Sequence, residues 1–215
     1  MSNLQKRILT SIIILPLSIF FIVSGGHLLV FFLIFILFAG MRELFSVFKK
    51  KKSMILLSIV LILSLICIYY LREKTENLLY FAIAVTISSD IGGYIFGKIF
   101  KWKKLTKISP KKTLSGVLGS FIFSLLSVFL LNLIINIITG SNGYNFILSD
   151  FFYLAIFFSM AAQIGDLTIS YFKRLEKIKD TGKILPGHGG IFDRIDSLIF
   201  VVILAYFLYS LELFP

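Results

Sequence analysis

The sequence predicts an all-α, polytopic integral membrane protein of about seven membrane-spanning helices with a cytoplasmic N-terminus. Three observations carry that expectation. Hydrophobic residues make up 58% of the chain, 24 of them Phe, against 15% charged, and the mean hydropathy is +0.95, too apolar for a soluble domain. The apolar residues gather into seven stretches, most of about 16 to 25 residues, the length that crosses a hydrocarbon core of about 30 Å. The basic residues crowd into alternate connections. That parcelling explains the formal charge of +11 as membrane topology, so no nucleic-acid partner is expected.

The spans follow in order. Residues 8–23 form the first, behind Lys6 and Arg7. The run lacks a small-x-small site before Gly25 and leads at once into another span, so a cleaved signal peptide is not expected. Pro16 kinks it, as neighbouring helices permit in a bilayer. Gly25, Gly26 and His27 make the turn into residues 28–39, and residues 41–53, with Arg42 and Lys49 to Lys52, read as a cytoplasmic topology anchor that favours anionic lipid. The third span is 54–71, the fourth 78–100, the fifth 114–138, the sixth 151–172 and the seventh 195–213. Cys67, the single cysteine, lies inside an apolar run and reads as a packing residue.

With the N-terminus inside, the segments 1–7, 41–53, 98–113 and 173–194 are cytoplasmic and hold 20 of the 22 Lys and Arg. Only Arg72 and Lys74 fall outside, a strong positive-inside signal. The expected organisation is one membrane domain over 1–215, in which 1–76 supplies N-terminal helices and 77–215 is a catalytic half with its site at the cytoplasmic face.

Polar residues locate that site. A carboxylate at mid-bilayer costs about 2.5 to 3.5 kcal/mol on insertion scales, so Asp90 and Asp166 each need a partner or a cavity. Gln163, Asp166, Ser170 and Lys173 share one helix face, and Asp193, Asp196 and Ser197 share another. Carboxylates from two helices suit Mg²⁺ held against phosphate oxygens, which makes Asp166 and Asp193 candidate metal ligands. In-line displacement at phosphorus then needs metal and cations more than a nucleophilic side chain.

Two basic loops supply the cations. In the first, ISPKKT places Lys111, Lys112 and Thr113 just ahead of the fifth span, where a helix N-terminus favours anions. In the second, Pro186, Gly187, Gly189 and Gly190 surround His188 and let backbone N–H groups approach a ligand. No GxxxxGK[ST] run exists, which excludes a P-loop, and no Ser/His/Asp hydrolase arrangement stands out.

The run SYFKRLEKIKDTGKILPGHGGIFDRID, residues 170–196, resembles the signature of the phosphatidate cytidylyltransferase family, the CDP-diacylglycerol synthases. SDIGGYIFGK and ISPKKT resemble two further family segments, so the resemblance covers residues 89–197, about half of the chain. It implies transfer of a cytidylyl group from CTP to phosphatidate with Mg²⁺, with a monovalent cation as a candidate companion. Carried over by position, Asp166 and Asp193 would hold metal, with Asp196 as a third ligand. Ser170, Lys173 and Arg174 would face phosphates, and His188 with its glycines would shape the polar pocket. Substrate binding would also draw on Lys111, Lys112, Thr113, Lys179, Asp180, Gly189, Gly190, Arg194 and Asp90.

The chain departs from the family at Ser115, where members commonly carry Glu, and it is short for the family at its N-terminal end. Two other readings stand beside the enzyme: a CTP-dependent lipid kinase of the dolichol or polyprenol type, and a cation-coupled transporter using Asp90 and Asp166. The expected location is a bacterial inner membrane among membrane lipids. Small-residue faces at Ser89, Gly93 and Gly97, or Gly116 and Gly119, are candidate homodimer contacts.

Overall fold

The structure, a computed structural model, describes residues 3–106, 109–110, 112–139, 148–182, 184 and 189–213. Among these residues, seven helices run in the order α1 (Asn3–Ser24), α2 (Gly26–Val47), α3 (Lys51–Lys74), α4 (Glu76–Phe100), α5 (Leu114–Thr139), α6 (Leu148–Leu175) and α7 (Phe192–Ser210). Helices α2 to α6 each contain a stretch long and apolar enough to cross a membrane. The described apolar part of α1, Ile12–Ser24, is shorter. Helix α7 spans 19 residues and opens on Asp193, Arg194 and Asp196, so its charged end belongs to the site.

Two helix-packing cores hold the bundle. One joins α2, α3, α6 and α7 through Leu29, Leu44, Leu57, Leu61, Ile169, Phe192 and Ile199. The other joins α3 to α7 through Leu71, Leu79, Val85, Val128, Phe158, Ala162, Val201 and Val202. Outside them, Phe31, Phe35, Phe38, Phe129 and Leu130 are exposed, as lipid-facing positions should be and as a water-facing surface would not tolerate.

The structure carries α2 well past residue 39, through Val47, so the turn before α3 is only Phe48 to Lys50. Gly40 does not end the helix. It faces Leu61, and a Cβ there would stand 2.8 Å from that side chain, so its smallness is used for α2–α3 packing. Beyond it, Leu44 and Phe48 continue the buried stripe. Glu176, just after α6, accepts from the backbone N–H groups of Lys50 (3.0 Å) and Lys49 (3.3 Å) and fastens the turn to the far end of the chain.

Helices α4 and α5 meet backbone to backbone. A Cβ on Gly92 would collide with the Gly119 carbonyl, one on Gly119 with the Gly92 carbonyl and Phe96, and one on Gly116 with the Gly93 carbonyl. The Ser120 hydroxyl donates across the seam to the Ser89 carbonyl (2.8 Å), and the hydroxyls of Ser89 and Ser159 are bonded at 3.0 Å. The faces expected to offer homodimer contacts are therefore spent inside one chain. Gly97 likewise faces Thr113. Gly165 lets α6 approach α7 in the same way, since a Cβ there would lie 2.9 Å from the Asp196 carbonyl.

Between α4 and α5 the chain doubles back. Leu105 N–H donates to the Lys112 carbonyl (2.8 Å) and Leu114 N–H to the Lys103 carbonyl (3.0 Å). That return delivers Thr113 to the head of α5, where its hydroxyl accepts from Gly116 N–H at 3.1 Å as a helix cap.

Candidate active site

The site is organised by the first turn of α7. A helix leaves its first N–H groups unsatisfied and carries partial positive charge there. Here two carboxylates take them. Asp193 reaches back to Gly190 N–H (3.0 Å), as in the reverse half of a capping box, and also accepts Thr181 N–H (2.7 Å). Glu43, arriving from α2, accepts Ile191 N–H (2.8 Å) and Phe192 N–H (3.0 Å).

Lys173 from α6 lies behind this turn. It is 8% exposed, with Nζ 2.9 Å from Asp193 Oδ1 and 3.9 Å from Asp196 Oδ2. Asp166, two turns earlier on α6, accepts from the Ser170 hydroxyl (3.2 Å) and pairs with Lys112 Nζ at 2.6 Å. Lys112 Nζ also lies 3.5 Å from the Gln163 carbonyl. From α4, Asp90 accepts the Ser197 hydroxyl at 3.1 Å and so ties α4 to α7.

These groups surround a cavity of about 410 Å³. Its wall comes from Ser89, Asp90, Gly93 and Tyr94 of α4, Thr113, Gly116 and Ser120 around α5, Gln163 and Asp166 of α6, and Asp193, Arg194 and Asp196 of α7, with Ser109 and Lys112 from the intervening loop. Asp90 lies ten residues before the end of α4, about 15 Å of helix rise, so the cavity reaches into the bundle from its basic end. Four carboxylates, three of them paired with lysines, meet Arg194 in one chamber. Such a chamber accepts a strongly anionic ligand together with the cations that neutralise it.

The family model described as the cytidylyltransferase family matches residues 53–212, which include every residue lining this cavity. The chain belongs to the cytidylyltransferase family. Curated relatives agree along the length. A phosphatidate cytidylyltransferase of Rickettsia bellii is 34% identical over 221 residues, covering 99% of this chain and 93% of the relative. One of Rickettsia conorii is 32% identical over 212 residues, covering 95% and 90%. One of Staphylococcus saprophyticus is 40% identical over 137 residues, covering 62% of this chain and 50% of the relative.

Of the site residues expected from sequence, the fold brings Asp90, Lys112, Thr113, Asp166, Asp193, Arg194 and Asp196 around one cavity. Lys111, Pro186, Gly187 and His188 lie outside the described residues. Lys173 does not face the cavity as a phosphate ligand, because it is buried against Asp193 and Asp196. Ser170 acts on Asp166 rather than on the cavity. The Arg174 guanidinium donates to the Ile178 carbonyl at 2.9 Å and, like Lys179 and Asp180, sits on the exposed outer side of the loop. Gly189 has a φ of 88°, the left-handed conformation that favours glycine, and faces Asp180 and Asp193.

Asp193, expected as a metal ligand, has one oxygen on Lys173 and the other on two backbone N–H groups, so it shapes the loop first. Thr113 spends its hydroxyl on the α5 cap. Ser115, the family departure, is buried behind that cap, bonded to the Thr113 hydroxyl at 3.0 Å and away from the cavity wall. Glu43 was not among the expected site residues. The one signal for it was a lone acid on the apolar side of a basic run, three residues past Gly40.

Proposed function

We propose that this chain transfers the cytidylyl group of CTP to phosphatidate, giving CDP-diacylglycerol and pyrophosphate, at the cytoplasmic face of a bacterial inner membrane. The observation that carries the reading is the cavity, in which carboxylates of α4, α6 and α7 meet Lys112 and Arg194 at the basic end of an apolar bundle. A water-soluble nucleotide and a membrane lipid can meet only at such a boundary. The family membership and the names of the Rickettsia relatives support the same chemistry.

In the reaction a phosphatidate oxygen forms a bond to the α-phosphorus of CTP, the bond from that phosphorus to the bridging oxygen breaks, and pyrophosphate leaves. Lys112 and Arg194, both on the cavity wall, would bind phosphate oxygens, Lys as a point charge and Arg as a planar fork. The apolar flanks of α4 and α5, where Tyr94, Leu114 and Leu118 are exposed, leave room for acyl chains beside the cavity.

Mg²⁺ is part of the proposal, and the donors fit it. Asp90, Asp166 and Asp196 present hard oxygens to one chamber, and Asp166 already attracts an ammonium group. No three His, Cys, Asp or Glu side chains converge on one point among the described residues. That suits an ion which takes one or two protein carboxylates and completes its shell with water and phosphate. Asp166 and Asp196 would hold it, while Asp193 positions the loop. Bound there, Mg²⁺ would offset the negative charge on the reacting phosphates.

The test is incubation of the purified protein with α-labelled CTP, phosphatidate and Mg²⁺, beside Asp166→Asn. Label in lipid with one pyrophosphate released per transfer is the expected result. The variant should lose at least about a hundredfold in rate, the scale of a lost charge-stabilising group. CDP release with unlabelled lipid would replace this reading by a lipid kinase.

A further inference from the structure

Glu43 is 2% exposed and stands on α2, a helix that contributes nothing to the cavity wall. It also precedes the family match, which starts at residue 53. Yet its carboxylate is used three times by the loop that carries the site. Ile191 N–H and Phe192 N–H donate to its two oxygens, and the Thr181 hydroxyl donates at 3.2 Å. The backbone partners lie 148 and 149 residues away.

The loop is built around that carboxylate. A Cβ on Gly190 would collide with Glu43 Oε2 and Thr181 Oγ1, and one on Gly182 would lie 2.7 Å from Glu43 Oε1. Both glycines are thus small because a carboxylate occupies the adjoining space. Thr181 also donates its N–H to Asp193, and Gly190 does the same, so Glu43 and Asp193 both hold Thr181 and the residues that lead into α7.

We propose that Glu43 is a positioning residue: its carboxylate ties Thr181 to the head of α7 at Ile191 and Phe192 and thereby aims Asp193, Arg194 and Asp196 at the cavity. The N-terminal helices then belong to the site framework, and residues 77–215 do not form a self-sufficient catalytic half. The activity arm of the test rests on the cytidylyltransferase reading, whereas the structural arm does not.

The closing experiment compares wild type with Glu43→Gln, Thr181→Val and Leu44→Ala in detergent. Glutamine keeps the size but turns an NH₂ toward an N–H donor, so one of the two backbone bonds must be lost. Leu44 is a fully buried neighbour on α2 whose truncation loosens packing while leaving every hydrogen bond of the Glu43 carboxylate in place. Amide hydrogen exchange over residues 181–193 is measured by mass spectrometry, alongside melting temperature, kcat, and KM for CTP and for phosphatidate.

Faster exchange at 181–193 in Glu43→Gln is expected, with kcat down roughly 10- to 100-fold, the scale of a small misplacement of reacting groups. KM for phosphatidate should stay within about twofold, because the apolar flanks are intact. Thr181→Val should move the same readouts by less, and it keeps the test open if Glu43→Gln does not fold. Leu44→Ala should lower the melting temperature with exchange at 181–193 and kcat near wild type. Unchanged exchange in Glu43→Gln overturns the proposal, and so does a kcat that merely follows melting temperature across all variants. Should wild type transfer no cytidylyl group, the functional reading falls and the exchange arm alone decides the clamp.

Discussion

Lys173→Met probes the buried charge cluster behind α7. The side chains of Lys173, Asp193 and Asp196 are 10%, 5% and 14% exposed, with Nζ 2.9 Å and 3.9 Å from the two carboxylates. Methionine keeps the length and removes the charge, leaving two neighbouring carboxylates without their cation. Breaking a buried pair on one side costs about 3 to 5 kcal/mol. Asp193 keeps the N–H groups of Thr181 and Gly190, which places the expected loss at the low end, about 3 kcal/mol. For a chain of this size that is a drop of roughly 6 to 12 °C in melting temperature.

The assay is thermal unfolding in detergent for Lys173→Met, Asp193→Asn and the double variant. Removing both charges should recover part of the loss, with a coupling of at least about 1 kcal/mol between the two sites. Additive losses would refute the reasoning. Lys173 would then be a solvated cation, and its original reading as a phosphate ligand would return.

Two further outcomes test the frame around the site. Gly92→Leu should separate α4 from α5, because its Cβ has only the Gly119 carbonyl and Phe123 to enter; a loss of about 3 kcal/mol or more in unfolding experiments is expected. Thr113→Val removes the α5 cap and should cost about 1 kcal/mol, with a rise in KM for CTP beyond what the stability loss explains, since Thr113 also lines the cavity.

Much of this was legible in the linear sequence because bilayers impose period and length. Each helix falls where an apolar run was expected, Asp90 and Asp166 were visible as carboxylates too expensive to be idle, and Asp193 and Asp196 as acids sharing one helix face. What stayed hidden depends on distance along the chain. Glu43 sits in a segment whose Arg42 and Lys49 to Lys52 read as anchors, beyond the span expected to end at residue 39, and its partners come from far along the chain. Lys173 beside Arg174 reads as a pair of phosphate ligands. Only packing reveals that helix rotation buries the first and exposes the second. The glycines of α4 and α5 announced a close contact, and sequence alone could not say whether the partner was another copy or the next helix.

The glycine seam has a consequence for how this protein can change. Where two backbones touch, no side chain of any chemistry is admissible, so positions 92 and 119 should stay nearly blank in a saturation mutagenesis scan. On α2, Phe31, Phe35 and Phe38 face lipid and should accept most apolar replacements. Tolerance in this chain would therefore track depth within the helix interface rather than hydrophobicity. A map of it would outline the α4–α5 wall of the cavity without any knowledge of the chemistry inside.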